Sequence, residues 1–348
     1  MKQFIREDLQ NIKPYSSARD EFSGEAAIWL DANENSLVTE YNRYPDPLQR
    51  KLKAKVAEIK SINVENLFIG NGSDEVLDLL LRLICKPFQD TIAFFDPSYG
   101  MYEVLARING LSIKRIPLNE QFEPDWSKLV ELITGTRVFI ICNPNNPTGN
   151  LFSREEIGSV LRAYEGVVII DEAYIDFNDQ PSMSELINDF PNLIVVQTLS
   201  KAYGMAGLRV GMAIANVEWI SALNTIKPPY NVSSLVQETA LALLDSTDWK
   251  TIIPTIISER KRVSEVLKKQ IGVLEVFPSE ANFILFRVAD VNKLYRYLAD
   301  AGVVVRNRST QTNCADTLRV TIGTEAENNR FLTLLKQFYN DEAKSIIY

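Results

Sequence analysis

With 348 residues and a mass of 39.4 kDa, the chain can bury a sizeable core and divide into two domains. Its net charge of −8, with no basic run, argues against nucleic acid as a partner, and no apolar run approaches the length of a membrane span. There is no histidine, which excludes Ser-His-Asp and Cys-His catalysis and histidine-ligated metals, and leaves lysine, tyrosine and carboxylates for proton transfer.

The three cysteines, Cys85, Cys142 and Cys314, stand far apart with no C-x-x-C pair. That spacing fits a reducing compartment and offers neither a disulfide framework nor a zinc site. The opening Met1-Lys-Gln-Phe-Ile-Arg-Glu-Asp8 is too polar for a secretory signal. A cytoplasmic protein with no bound metal is the expectation.

Residues 1–30 are mixed and polar and read as an arm, expected to pack on a small domain and a partner subunit. Asp31-Ala-Asn-Glu-Asn35 is a polar cluster, and Arg43-Tyr-Pro-Asp-Pro47 is held extended by its prolines. Helical spacing runs from Leu48 to Ile59. Leu67-Phe-Ile69 then feeds Gly70-Asn-Gly-Ser-Asp-Glu75 and an apolar helix to Ile84. A glycine turn opening a helix offers free N–H groups and a positive dipole end to a phosphate, although many such turns bind nothing.

Strands follow at 91–95, 111–116, 138–142, 167–170, 193–196 and 210–215, mostly separated by helical patterns, as in a largely parallel sheet. Ser153 and Glu156 form a capping box for the helix before the fourth of these. Pro228-Pro229 marks a break, and the later rhythm is α+β, with helices at 235–244, 253–270 and 291–301 and strands at 283–288 and 318–322. The expected division is an arm at 1–30, a large domain at 31–230 and a small domain at 231–348.

Polar residues collect where the strands stop, which is where open α/β sheets bind ligands. Tyr99 follows one strand and suits stacking on a flat ligand or plain core packing equally. Asn143-Pro-Asn-Asn-Pro-Thr-Gly149 follows another, Asp171-Glu-Ala-Tyr174 a third, and Ser200-Lys201 a fourth, with Arg209 close behind. A lone loop lysine would be unremarkable, but this one lies among a hydroxyl, an arginine and three glycines.

Pyridoxal phosphate asks for this set. Its aldehyde takes a lysine amine, its ring nitrogen a buried carboxylate such as Asp171, and its ring oxygen donors such as Asn146 and Tyr174. Its phosphate takes Arg209, Ser200 and the turn at Ser73-Asp74.

The three stretches at 143–149, 171–174 and 200–209 resemble the motifs of fold-type I pyridoxal-phosphate-dependent aminotransferases. The chain is most similar to the histidinol-phosphate aminotransferase family. That closer likeness rests on Asp31–Asn35, Arg43-Tyr-Pro-Asp46, Gly70–Glu75, Asp96-Pro-Ser-Tyr-Gly-Met-Tyr102 and Leu318-Arg-Val-Thr-Ile-Gly-Thr324. Ser36 departs from the family, which usually has proline there.

The resemblance implies an α/β fold: a large domain with a mostly parallel central sheet flanked by helices, plus a smaller α+β domain. It implies pyridoxal 5'-phosphate bound through Lys201, with Asp171 at the ring nitrogen and Asn146 and Tyr174 at the ring oxygen. Tyr99 would stack on the ring, and the Ser73 and Asp74 amides, Ser200 and Arg209 would hold the phosphate. Tyr44 would reach a partner subunit's cofactor, making a homodimer with composite sites. Arg319, with Arg306 and Tyr15 beside it, would grip the substrate anion, and Asn33 and Glu34 would meet the imidazole. The substrates implied are histidinol phosphate and glutamate or 2-oxoglutarate. An aromatic amino-acid aminotransferase or a threonine-phosphate decarboxylase of the same fold is the alternative.

Overall fold

The structure is a computed structural model and describes residues 2–13, 28–37 and 39–345. Tyr15 lies outside the described residues. So does much of the expected arm.

The larger sheet has seven strands: β1 (Leu67–Asn71), β2 (Thr91–Asp96), β3 (Ser112–Pro117), β4 (Val138–Cys142), β5 (Val167–Asp171), β6 (Leu193–Thr198) and β7 (Val210–Ile214). Their spatial order is β1-β7-β6-β5-β4-β2-β3. The pairs among β6, β5, β4, β2 and β3 are parallel, whereas β7 runs antiparallel to both β6 and β1. β1 therefore points the same way as the parallel set.

Successive residues on these strands face opposite sides, so each strand feeds two cores. Ile69, Phe95, Ile141, Ile170 and Val195 fill one, while Phe68, Phe94, Ile140, Ile169 and Val196 fill the other. This two-sided burial explains the nearly unbroken apolar runs at 138–142 and 167–170.

Helices α1 (Arg50–Lys60), α2 (Gly72–Ile84), α3 (Met101–Ile108), α4 (Trp126–Ile133), α5 (Arg154–Ala163) and α6 (Val217–Ile226) belong to this unit. At the start of α5 the Ser153 hydroxyl accepts the Glu156 N–H, the first half of the expected capping box. Past the prolines, α7 (Ser234–Ser246) places Ala240 and Leu244 in the same core as Leu52 and Val56 of α1. The break at Pro228-Pro229 thus separates two helices that pack within the larger unit.

The long helix α8 (Trp249–Lys268) leads to β8 (Val273–Val276), β9 (Phe283–Val288), α9 (Val291–Asp300), β10 (Arg306–Asn307), β11 (Thr317–Thr321) and α10 (Glu325–Ser345). The four strands form a second, antiparallel sheet in the order β10-β11-β9-β8, with a core of its own around Phe286, Leu294, Leu318 and Leu335. No helix among the described residues is long and apolar enough to cross a membrane.

Residues 2–13, the first described part of the expected arm, pack on the large sheet's helices. Phe4 is buried and stacks on Trp219 of α6 at 6.2 Å, and the Arg6 N–H donates to the Leu83 carbonyl of α2. The physical reason is the apolar face of Phe4, Ile5 and Leu9, which is covered by the α2–α6 side of the large sheet.

The two units meet at the turn after β4. Gly149 has φ +83°, and a side chain there would lie 2.6 Å from the Ser279 hydroxyl; its carbonyl accepts the Glu280 N–H at 2.7 Å. Gly149→Ala should therefore destabilise the protein by roughly 1–3 kcal/mol, since it adds backbone strain to a closed contact. Chemical denaturation measures this, and an unchanged midpoint would show that the 277–283 segment gives way freely.

Candidate active site

The sheet's direction gathers the polar residues. The C-terminal ends of β1, β2, β4, β5 and β6 lie along one edge, and β7, running the other way, begins there. Ser73 and Asp74 thus follow β1, Tyr99 follows β2, Asn146 follows β4, Asp171 ends β5, Lys201 follows β6, and Arg209 precedes β7. All of these, with Tyr174, Ser200, Arg306 and Arg319, line one cavity of about 230 Å³. That is smaller than the roughly 300–1,000 Å³ of drug-sized pockets and suits a small ligand. A larger cavity of about 750 Å³ lies between residues 5–12 and α6, but no lysine or arginine lines it, so it offers an anion no cationic side chain.

Asp171 is the most deeply buried of the charged residues here, at 3% exposure. Its Oδ2 accepts the Tyr102 hydroxyl at 2.7 Å and its Oδ1 the Ala173 N–H at 3.1 Å. Burial pushes its pKa up to about 6, against the pull of those two donors. Lys201 shifts the opposite way: loss of solvent around the ammonium, then the positive charge of Arg319, lower its pKa. The cavity so brings an acid and a base toward each other in strength.

Tyr174 is buried, packs edge-on against Phe283 at 5.2 Å, and lies with its ring 5.7 Å from Lys201 Nζ. Its hydroxyl accepts from Asn146 Nδ2 at 3.3 Å. On the other side of the amide, Arg319 Nη1 donates to Asn146 Oδ1, and its guanidinium lies over the Phe283 ring at 5.0 Å. Asn145, next in the chain, does different work: buried, it joins Ser98, Thr148 and the Pro97 carbonyl and ties the turn to the end of β2.

An anion cradle lies opposite. Gly211 must lack a side chain, because a Cβ there would sit 2.1 Å from the Ser73 nitrogen and 2.2 Å from the Gly72 carbonyl carbon. Gly72, at φ +80°, lies directly beneath the Arg209 guanidinium. Asn71 does not cap α2 with its side chain, so the first-turn N–H groups remain available at the cavity. The Asp74 carboxylate accepts from the Tyr99 hydroxyl at 3.2 Å and from Arg209 at 3.3 Å, and Ser200 receives the Thr198 hydroxyl at 3.0 Å.

Three expected residues lie elsewhere in the chain. Asn33, Glu34 and Tyr44 line a separate surface cavity with Ser233 and Leu235. Tyr44 stacks on Tyr230 at 4.4 Å, and the Glu34 carboxylate takes the Tyr44 N–H and the Arg43 guanidinium, both at 2.6 Å. Ser36 also accepts from Arg43, at 3.2 Å. A proline in its place would have no hydroxyl to offer.

Two residues escaped the sequence reading. Tyr102 stands in the first turn of α3, and its ring meets that of Tyr99, two residues before the helix, edge-on at 5.5 Å. Arg308 stands two after Arg306, the spacing that shares a strand face, and it lines the cavity.

These donors fit pyridoxal phosphate on structural grounds. The Gly72–Gly211 cradle under Arg209 suits a phosphate, the depressed Lys201 amine suits an aldehyde, and the buried Asp171 carboxylate suits a protonated ring nitrogen.

The raised pKa of Asp171 also carries a stability consequence. With a pKa near 6 folded and 3.8 as the ordinary value, the folded protein holds the extra proton between those values. Its ionised carboxylate therefore costs stability above pH 6, and the cost fades as pH falls toward 4. Asp171→Asn should stabilise the cofactor-free protein by up to about 3 kcal/mol at pH 7.5 and by nothing near pH 4. Denaturant titrations at both pH values measure it, and a loss of stability at pH 7.5 would contradict the burial argument.

Comparison with known proteins points the same way. The model of a family described as aminotransferase class I and II matches residues 21–335. The chain is 48% identical over 338 residues to the histidinol-phosphate aminotransferase of Parabacteroides distasonis, covering 97% of this chain and 98% of that one. The crystal structure of the Clostridium acetobutylicum histidinol-phosphate aminotransferase superposes with a TM-score of 0.80 at 29% identity, over 86% of this chain and 92% of that one. The fold is likewise that of the Sinorhizobium meliloti histidinol-phosphate aminotransferase in complex with pyridoxal-5'-phosphate, at a TM-score of 0.77 and 22% identity over 86% and 83% of the two chains. With its strand-end lysine, carboxylate and arginines gathered in one cavity, the chain belongs to the class I and II aminotransferase family.

Proposed function

We propose that this chain moves an amino group between L-histidinol phosphate and 2-oxoglutarate, giving imidazole acetol phosphate and L-glutamate, with pyridoxal 5'-phosphate as cofactor. That reaction belongs to histidine biosynthesis. The observation that carries the chemistry is the pairing of a weakened lysine base with a buried carboxylate in one cavity. The near-full-length likeness to histidinol-phosphate aminotransferases supports the choice of substrate.

Pyridoxal phosphate, when bound, supplies an electron sink for the carbon that carries the amino group. The chain does the rest. Lys201 Nζ, its charge disfavoured by burial, has a neutral fraction able to attack a carbonyl and to take the proton from that carbon. Asp171, locked by Tyr102 and the Ala173 amide, holds negative charge at the ring-nitrogen edge. Asn146 and Tyr174 would serve the ring oxygen, and Tyr99 would cover the ring. Arg209, Ser200 and the Ser73 and Asp74 amides would hold the phosphate.

Arg319 and Arg306 receive the substrate anion. A guanidinium fork accepts carboxylate and phosphate alike, which lets one wall serve glutamate, with two carboxylates, and histidinol phosphate, with none.

The active form in this reading is a homodimer. Asn33, Glu34 and Tyr44 lie outside the chain's own cavity, beside exposed Leu30 (87%) and Leu37 (93%), an apolar edge suited to a second copy. A partner would then bring Tyr44 to the cofactor phosphate and residues 33–34 to the imidazole. The three free, buried cysteines support a cytoplasmic setting.

Assayed with 2-oxoglutarate, the protein should turn over histidinol phosphate in preference to phenylalanine, and should release no carbon dioxide from threonine phosphate. A preference for phenylalanine, or decarboxylation, would overturn the substrate assignment. Lys201→Ala should still bind cofactor, by the Asp171 and Arg209 contacts, yet lose turnover by at least about 10²–10⁴-fold. Retained transamination would reject the lysine's role.

A further inference from the structure

The small sheet carries more positive charge into the cavity than one anionic group requires. Arg306 of β10 faces Arg319 of β11 directly across the ladder. Arg308 prolongs that ladder, its backbone N–H donating to the Thr317 carbonyl at 3.0 Å. Alternate residues of a strand share a face, so Arg306, Arg308 and Arg319 stand together on one side, and all three line the 230 Å³ cavity.

Like charges placed directly opposite destabilise a sheet, and a half-buried cation without a counter-ion costs more still. Yet among the described residues no carboxylate pairs with any of the three. Asp171 and Asp74, the cavity's acidic residues, are engaged on the opposite wall by Tyr102 and the Ala173 amide, and by Tyr99 and Arg209. Buried Nε atoms of both Arg308 and Arg319 have no hydrogen-bond partner. Burial and the two neighbouring guanidiniums lower the Arg308 pKa to about 10, which still leaves it charged at neutral pH. A bound anion would supply the negative charge that these guanidiniums lack among the described residues.

We propose that Arg308 is a specificity residue, completing with Arg306 and Arg319 a three-guanidinium seat that selects a phosphate-bearing amino donor over a carboxylate-bearing one. Such a seat presupposes the aminotransferase reaction proposed above. A planar carboxylate is satisfied by one bidentate fork, here that of Arg319. A phosphate monoester brings three outward oxygens and a charge of about −1.5 to −2 at neutral pH, and so uses forks converging from several directions. Arg308 therefore matters to the phosphate donor and little to glutamate.

The test uses holoenzyme carrying Arg308→Gln or Arg308→Lys and follows each half-reaction separately, with histidinol phosphate, unphosphorylated histidinol and glutamate as donors. Arg308→Gln should lower kcat/KM for histidinol phosphate about 10- to 100-fold, chiefly through KM, and change glutamate and histidinol by less than about 3-fold. Arg308→Lys should recover part of the loss by restoring charge without the fork. Equal losses for all donors would assign Arg308 a structural role, and a larger loss for glutamate would assign it to the second carboxylate; either overturns the proposal, as does no change with histidinol phosphate. If wild-type protein rejects histidinol phosphate altogether, the functional reading fails on its own. The seat is then read by inorganic phosphate, whose inhibition constant against glutamate should rise about 10-fold in Arg308→Gln; an unchanged constant would refute the seat.

Discussion

The molecule is organised around one buried carboxylate and one lysine amine that share a cavity at a single sheet edge. Asp171 ends a strand buried on both faces, so its carboxylate leaves water as a direct result of folding. Isolated, such a group would simply take up a proton at neutral pH. The Tyr102 hydroxyl and the Ala173 amide hold it partway, near the point where it still ionises. Lys201, just past the end of the neighbouring strand, is exposed overall, yet partial loss of solvent at the cavity wall, and then the charge of Arg319, lower its pKa. The buried carboxylate is the costly member of the pair. A ligand that presents a cationic nitrogen to it and an electrophilic carbon to the lysine uses both.

Topology delivers this arrangement through one reversed strand. Because β7 runs against its neighbours, Arg209 enters at the edge where β1 and β6 finish, and the left-handed backbone at Arg209 (φ 53°) turns the chain there. Gly211 then lets β7 approach the start of α2 so closely that arginine and helix N-terminus act on one point. The second sheet closes the cavity from the far side, with Arg319 resting on Phe283 and bonded to Asn146 of the turn after β4. The two units are therefore joined through residues that also face the ligand space.

Much of this was legible in the sequence because strand ends are. The apolar runs before Asp171 and Lys201 stop abruptly, and the strand expected at 138–142 is β4 to the residue. What stayed hidden depended on neighbours distant in the chain. No local pattern distinguishes Asn145, which locks the turn, from Asn146, which faces the cavity, since the difference lies in which one meets Pro97 and Ser98. Arg308 was missed because β10 is only two residues long and shows no alternation. The short strand at 273–276 is half exposed and only four residues long, with its apolar run broken at Glu275, whereas the C-terminal helix at 325–345 does carry helical spacing, with Phe331, Leu334, Leu335 and Phe338 all buried. Residues 2–13 dock on the large sheet through Phe4, a contact that a mixed, polar stretch does not advertise.

The most direct test of the central pairing is to reduce the purified, cofactor-loaded protein with borohydride and map the modified peptide by mass spectrometry. The account predicts one pyridoxyl adduct per chain, on Lys201 Nζ. An adduct on any other lysine, or none on a protein that visibly holds the cofactor, would contradict it.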